Sequence, residues 1–345
     1  MALLNQSCIV HYNGGGKITR LIHRNEEVYI TNWTTGTDKS QTKIFAQGVD
    51  EIKACSDGNG MLYVFCLNSM GDLDIFSVSE KEIDQSRIKF GCKDTLLRDF
   101  RPYLSGERCE LLVSESKKEN RNERILWKYT LDRKSLRGKN RDADYERKAL
   151  MEYETFGPVD ELAVVEADGG TTRIISVIEK SESANSIILL RDNRFGYVEG
   201  LIKISMQTEI FWHDMIERDQ EVILAYTERD GERFSIKAVI YHTENHSLSK
   251  EILIREKAVC SHPVLVEYRG EIWICWYENG SVRSAVLENG KVRDCGMKWR
   301  DSMGKGLFCA SFLIDDEDIK QEYGFHCRKV FLTYPDNHMT GFGRL

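Results

Sequence analysis

The chain has 345 residues, 41% hydrophobic and 30% charged, with 26 glycines and only 4 prolines. That balance can bury a core and excludes a disordered or low-complexity chain. The formal net charge of −7 gives no global reason to bind nucleic acid, and no stretch is long and apolar enough for a membrane-spanning helix.

In chain order, Met1-Ala2-Leu3-Leu4-Asn5-Gln6-Ser7 has neither the basic region nor the apolar core of a signal peptide. Four short β-rich runs follow, over 8–12, 18–23, 28–32 and 43–47. Gly14-Gly15-Gly16 reads as a hairpin turn between the first two, since no helix or lysine follows to make it a phosphate loop. The next unit repeats the plan over 51–55, 62–67, 73–78 and 87–90. Its turn, Asp57-Gly58-Asn59-Gly60, leads into the apolar run Met61-Leu62-Tyr63-Val64-Phe65. The same turn-then-apolar signature recurs at Ser105-Gly106-Glu107, Asp168-Gly169-Gly170, Arg218-Asp219-Gln220 and Arg269-Gly270. The fourth unit is read over 161–166, 172–178, 186–191 and 201–205, and the fifth over 209–216, 221–227, 233–241 and 250–254.

The third unit carries an insertion, 117–148, between its third and fourth strands. Twelve Lys/Arg against six Asp/Glu give this stretch a balance of +6, and leave −13 for the rest of the chain. Within it, 142–151 is the best helical candidate, without a convincing apolar stripe. A last unit starts at Leu307, contains an acidic loop, Asp315-Asp316-Glu317-Asp318, and continues through 330–334 to a third strand near 342–345. No fourth strand follows.

Second strands begin near Leu62, Glu110, Arg173, Val222, Ile272 and Lys329, a step of about fifty residues wherever no insertion intervenes. Val49-Asp50-Glu51-Ile52 recurs as Val159-Asp160-Glu161-Leu162 ahead of a first strand, and Pro102, Pro158 and Pro263 sit at or just before first strands, where no ladder donor is lost.

A period of that length, in four-stranded units, resembles the β-propeller repeat proteins across nearly the whole chain. The GH and WD pairs of WD40 blades, the glycine pairs of kelch blades and the Asp boxes of sialidases are not present. The expected fold is therefore an all-β propeller formed by residues 1–345 as a single domain. Seven four-stranded blades fit better than six. The unfinished last blade is expected to be closed by an N-terminal strand, from 2–6 or its neighbourhood, because an open sheet edge invites aggregation.

Propellers receive ligands at the loops that enter their first strands. In this register those loops carry Asp50, Glu51, Asp99, Arg101, Asp160, Glu161, Glu209 and His262, an acidic rim suited to a small cationic ligand or a carbohydrate. The bland alternative is that these residues cap strands. A second candidate surface is the basic loop bearing Arg133, Lys134, Arg137, Lys139 and Arg141, which suits an acidic protein partner; without a stacking platform, nucleic acid is not the expected partner. The alternative there is a solvated loop.

His213, Asp214 and Glu217 resemble a catalytic cluster, but strand alternation sends His213 and Asp214 to opposite faces, so a structural histidine is expected. His242 and His246 do not share a helix, which weakens a metal reading. Trp33, Trp127, Trp212, Trp273, Trp276 and Tyr277 are read as packing between sheets. Of the ten cysteines, Cys66, Cys109, Cys275, Cys309 and Cys327 lie in or beside apolar runs; with no CxxC pair and no export signal, reduced thiols in a cytoplasmic protein are expected. The sequence reads as a non-enzymatic interaction scaffold or ligand-binding propeller that needs no cofactor and no metal. The alternative is a carbohydrate-active propeller, glycosidase- or sialidase-like, that uses rim carboxylates.

Overall fold

The computed structural model describes residues 8–34, 41–79, 83–89, 95–136, 141–156, 162–167, 172–182, 185–193, 197–257, 259–268, 270–279, 281–300, 307–317, 321 and 327–333. The strands run β1 (Cys8–Tyr12), β2 (Lys17–Arg24), β3 (Glu27–Thr34), β4 (Gln41–Gln47), β5 (Val49–Ser56), β6 (Leu62–Asn68), β7 (Leu73–Val78), β8 (Ile83–Ile88), β9 (Thr95–Ser105), β10 (Arg108–Lys117) and β11 (Glu123–Asp132). After a 3-10 turn at Arg133–Leu136 come β12 (Arg141–Asp142), β13 (Tyr145–Glu154), β14 (Leu162–Ala167), β15 (Thr172–Lys180), β16 (Asn185–Asp192) and β17 (Val198–Met206). The rest are β18 (Glu209–Arg218), β19 (Glu221–Asp230), β20 (Arg233–His242), β21 (Ser247–Leu248), β22 (Ile252–Lys257), β23 (Cys260–Tyr268), β24 (Glu271–Glu278), β25 (Ser281–Glu288), β26 (Lys291–Arg300), β27 (Leu307–Ile314) and β28 (Cys327–Thr333).

The described strands assort into six sheets, each built on consecutive antiparallel strands as the period requires. Two compact units contain them. One comprises Met1–Val113, Trp127–Ala149 and Ser302–Leu345, the other Ser114–Leu126 and Leu150–Asp301.

In the first unit, β6 is buried along almost its whole length. Its side chains alternate between two cores. Leu62, Val64 and Cys66 join Ile9, Leu21, Val28 and Ile30 on one face; Tyr63, Phe65 and Leu67 join Cys109, Leu111, Val113 and Tyr129 on the other. This explains why second strands are continuous apolar runs: a strand covered on both faces has no polar side. The second unit repeats the arrangement at β19, where Val222, Leu224 and Tyr226 pack with Ile174 and Ile178 while Ile223 and Ala225 pack with Leu265, Ile272 and Ile274. First strands lie side by side within each unit, β5 next to β9, and β18 next to both β14 and β23. Two-residue hairpins at Asn25-Glu26 and Asp219-Gln220 have positive φ at both positions, the turn geometry that matches strand twist.

The C-terminal strands depart from the expected separate blade. β27 pairs in parallel with β1, Cys8 opposite Ala310 through Tyr12 opposite Ile314, so that β27 and β28 extend the sheet of β1–β4 to six strands. An N-terminal strand does join them, and it is Cys8–Tyr12, the strand assigned to the first unit; residues 2–6 and 342–345 lie outside the described residues. The stretch 142–151 is β12 and β13, not a helix. Its lack of an apolar stripe is the reason: β13 is an outer strand with one buried residue, Tyr153.

The expected acidic loop begins with a buried node. Asp315 directly follows β27, and its amide donates to Tyr12 O at 2.8 Å. Asp315 Oδ2 lies 2.8 Å from His11 Nε2 and accepts the Gly60 amide at 3.0 Å, while Oδ1 accepts Ser56 Oγ at 2.6 Å. Burial alone would raise this carboxyl, but the bonds from His11, Ser56 and the Gly60 amide outweigh it and hold its pKa below the usual range. The β5–β6 turn is tied from its other side too: Asp57 Oδ1 accepts the Asn59 and Met61 amides at 2.8 and 3.0 Å, and Oδ2 takes Arg133. Gly60 has φ +89°, and a Cβ there would run into the Asn13 side-chain oxygen.

Asp315→Ala removes the acceptor for three buried or half-buried donors and is expected to cost about 3 kcal/mol in urea unfolding at neutral pH. Gly60→Ala is expected to cost about 1–2 kcal/mol from backbone strain. Because the Asp315 pKa is depressed on folding, its contribution is complete above the ordinary carboxyl range and disappears as the pH falls through and below it. A loss under about 1 kcal/mol for Asp315→Ala would show that the node is not needed.

Candidate binding rim

The rim positions predicted at first-strand starts fall in both units. Asp50, Glu51, Asp99 and Arg101 belong to the first, Glu209 and His262 to the second; Asp160 and Glu161 lie outside the described residues. A β-bulge interrupts the start of three first strands, at Val49/Glu51 in β5, Ile210/His213 in β18 and Ser261/Val264 in β23. A bulge re-aims side chains that simple alternation would place. Asp50, Trp212 and His262 are all bulge residues.

In the first unit the predicted residues are brought together by one the sequence reading overlooked, Lys53. Its Nζ lies 2.9 Å from Glu51 Oε1, pairs with Asp99 Oδ1, and sits 4.7 Å from the centroid of the Phe100 ring. Asp99 Oδ1 also accepts the Phe100 amide at 2.7 Å and Arg101 Nη1 at 3.1 Å. Asp99 is buried, while Asp50 is exposed and outside this network. The cluster is therefore neutralised internally and ties neighbouring first strands together.

In the second unit the rim is aromatic. Trp212 and His262, on adjacent first strands, stack with ring centroids 4.1 Å apart and planes 27° from parallel. His262 has φ +54°, rare for a residue with a side chain, and its Nδ1 lies 2.8 Å from Ser261 Oγ. Phe211 lies 5.5 Å from Trp212 and 6.0 Å from Phe234 between ring centroids. Phe211, Trp212, Phe234 and His262 are all half-buried, neither sealed in the core nor fully in solvent. The half-buried Glu209 opens β18 opposite the exposed Arg229. Trp212 reads from sequence as packing only, because the two bulges that bring it to His262 leave no mark in the hydrophobic pattern.

His213 and Asp214 do point to opposite neighbours. His213 Nε2 lies 2.5 Å from Ser176 Oγ, and Asp214 Oδ2 accepts the Leu265 amide at 2.9 Å. Both are buried ties between sheets. Among the described residues no group of three His, Cys, Asp or Glu could hold a metal ion, and no helix is long and apolar enough to cross a membrane.

The basic insertion is partly anchored. β11 and β13 occupy both ends of 117–148, and β12 adds to β8 as a parallel fifth strand. Leu136 is fully buried and its carbonyl accepts Ser77 Oγ at 2.9 Å. Arg133 donates to Tyr63 OH at 2.9 Å and pairs with Asp57, while Lys134 is exposed. Arg137 and Lys139 lie outside the described residues, and for Arg141 only the backbone is described.

No protein-family model matches the chain. No curated protein matches it either. Among solved structures, it is similar to the β-propeller domain of Vanderwaltozyma polyspora Nup133, with 8% identity, 88% of each chain covered and a TM-score of 0.54. It is also similar to an ulvan lyase of polysaccharide lyase family PL25, with 9% identity over 82% of this chain and 79% of that one and a TM-score of 0.51. A fucose-specific lectin from Aleuria aurantia matches with 12% identity over 87% of this chain and 96% of that one, at a TM-score of 0.49. The chain spans 62% of the Phanerochaete chrysosporium exo-β-1,3-galactanase, with 71% of its own length, 9% identity and a TM-score of 0.45. The fold is an all-β propeller; at these identities the likeness shows the fold alone.

The two roles of the first-unit carboxylates separate by mutation. Asp99→Ala removes the buried carboxylate shared by Lys53 and Arg101, leaving the half-buried Glu51 beside Lys53, and is expected to cost about 3 kcal/mol by chemical denaturation. Glu51→Ala, at a half-buried partner with one contact, is expected to cost less than about 1 kcal/mol. Equal effects would remove the distinction between a structural Asp99 and an accessory Glu51.

Proposed function

We propose that this chain is a non-enzymatic binding propeller that receives a carbohydrate or a protein partner at the first-strand rim of the second unit, through Trp212, His262, Phe211 and Glu209. The observation that carries the reading is the Trp212–His262 stack, half-buried and held in two neighbouring bulges with His262 in a strained backbone conformation. Strain of this kind persists where the surrounding structure over-determines it, and it concentrates at ligand sites. Aromatic rings with a polar edge offer apolar area and hydrogen bonds at low entropic cost, which suits both sugars and protein surfaces.

A glycosidase-like reading has less support. It needs two carboxylates at a working separation around a bond. Among the described rim residues, Glu51 and Asp99 are committed to Lys53 and Arg101. The basic insertion is the weaker partner surface, since Arg133 is tied into the β5–β6 turn. A reducing, cytoplasmic setting fits the buried free thiols of Cys8, Cys55, Cys66, Cys109, Cys260 and Cys275.

A glycan array combined with a partner pull-down tests the site. Trp212→Ala is expected to weaken whatever is bound by about tenfold or more, a loss of about 1.4 kcal/mol or greater, without hydrolysis of any bound glycan. If Trp212→Ala binds like the wild type while Lys134→Glu abolishes binding, the site belongs to the basic insertion instead.

A further inference from the structure

β22 is an outer strand of its sheet, and its outward side lies open. Leu253 near its start is 54% exposed, and Lys250, Glu251, Glu256 and Lys257 around it are exposed. Ile252 and Ile254, on either side of Leu253, are half-buried and pack on the core that β19 shares with β24. Among the described residues β22 pairs with β20 alone. A strand so placed presents backbone donors and acceptors along one edge, a template for a further strand. Of the seven large hydrophobics exposed among the described residues, Leu248, Leu253 and Val259 fall within 248–259, so exposed apolar surface is concentrated on this edge.

The run Lys250-Glu251-Ile252-Leu253-Ile254-Arg255-Glu256 is complementary to its own reversal. Two copies of one edge related by a twofold axis pair antiparallel, and each residue meets its mirror position on the partner. With the axis at Leu253, Ile252 meets the partner's Ile254, Glu251 the partner's Arg255 and Lys250 the partner's Glu256. With the axis half a residue further on, between Leu253 and Ile254, Lys250 meets the partner's Lys257 and Glu251 the partner's Glu256, like charge against like. Opposite charges facing across strands stabilise and like charges destabilise, so the first register is selected over the second. Charges on an edge ordinarily guard it against pairing; these reject the neighbouring register and fit this one.

We infer that a second copy of this chain docks here, β22 against β22 about a twofold axis at Leu253, continuing the sheet from one subunit into the other. The occupant is a second copy because the run supplies its own complement in charge and in apolar contact. Two of its charged side chains are already held in place. Glu251 accepts Tyr226 OH at 2.6 Å and Lys237 Nζ at 3.1 Å, and Arg255 donates to Glu278 at 2.8 and 2.9 Å. Their placement costs little further side-chain entropy on association. Glu256 lies 3.1 Å from Arg233 in a solvent-exposed pair that exchanges at little cost. The bulge at Ile254 twists the edge and limits the contact to a few residues on each side of the axis, which fits a weak, concentration-dependent dimer.

Sedimentation velocity over about 1 to 200 µM protein tests the inference. The wild type is expected to pass from monomer toward dimer within that range. Leu253→Lys, which sets two ammonium groups together at the axis, is expected to weaken association by about tenfold or more. Lys250→Glu and Glu256→Lys each set like charges opposite one another and are expected to weaken it by about tenfold. The double variant Lys250→Glu/Glu256→Lys is expected to return it to within about threefold of the wild type. All three positions are exposed, so the urea midpoint of each variant is expected to match the wild type, which separates lost association from lost fold. A wild type that stays monomeric to the top of the range overturns the inference and leaves the charges as guards of a free edge. A dimer that survives Leu253→Lys, or one that the double variant does not restore, overturns it equally.

Discussion

A strand buried on both faces cannot be satisfied by its own sheet. β6 and β19 impose that condition, because successive residues, rather than alternate ones, need apolar neighbours. Tyr63 and Phe65 look one way while Val64 and Cys66 look the other. Removing a side chain of this size from water contributes roughly 2–3 kcal/mol, and it does so only if a further sheet lies on each side. Stacked sheets, first strands side by side and polar outer strands such as β13 all follow from this requirement.

Polar groups drawn into such a stack must find partners within it, and the partners come from far along the chain. Asp315 joins β1, the end of β5 and the β5–β6 turn; its contact with His11 spans 304 positions of sequence. On the other side of the same turn, Asp57 takes Arg133 from the insertion of the third repeat. The turn therefore acts as a joint between the chain's early strands, its last described strands and the insertion. Its glycines permit the backbone to enter the joint, Gly60 above all, since its φ of +89° is costly for other residues.

The strands were legible because two-sided burial writes itself as apolar runs between turn residues. Predicted and observed strands agree closely over β1–β7 and β14–β20, whereas the strand expected over 87–90 lies at Ile83–Ile88. What escaped the sequence follows from the same physics. The outer strand β13 has so little burial that its pattern looked helical or irregular. The parallel pairing of β1 with β27 is a long-range choice with no local signature. Asp315 sits in a run of acids that reads as a solvated loop, although it is buried at the end of β27. The rim positions are legible as the starts of first strands, and composition conveys only their charge. Bulges decide which side chains face which, and a bulge adds a residue without altering composition.

Two lysines share an aromatic contact and differ in the residue that precedes the ring. Lys53 lies 4.7 Å from the centroid of Phe100, and Lys180 lies 4.2 Å from that of Phe211. Each phenylalanine belongs to a neighbouring first strand, β9 in one unit and β18 in the other. The residue before Phe100 is Asp99, and it closes an ion pair with Lys53. The residue before Phe211 is Ile210, fully buried among apolar side chains, and the nearest acidic position in that strand is Glu209, one residue further back. Aromatic contact is thus common to both sites, and the carboxylate is what differs. Where it is present the cation is part of the scaffold. Where an isoleucine stands instead, the described contacts of the cation are aromatic, and the charge of Glu209 works against the pKa shift that burial imposes on it.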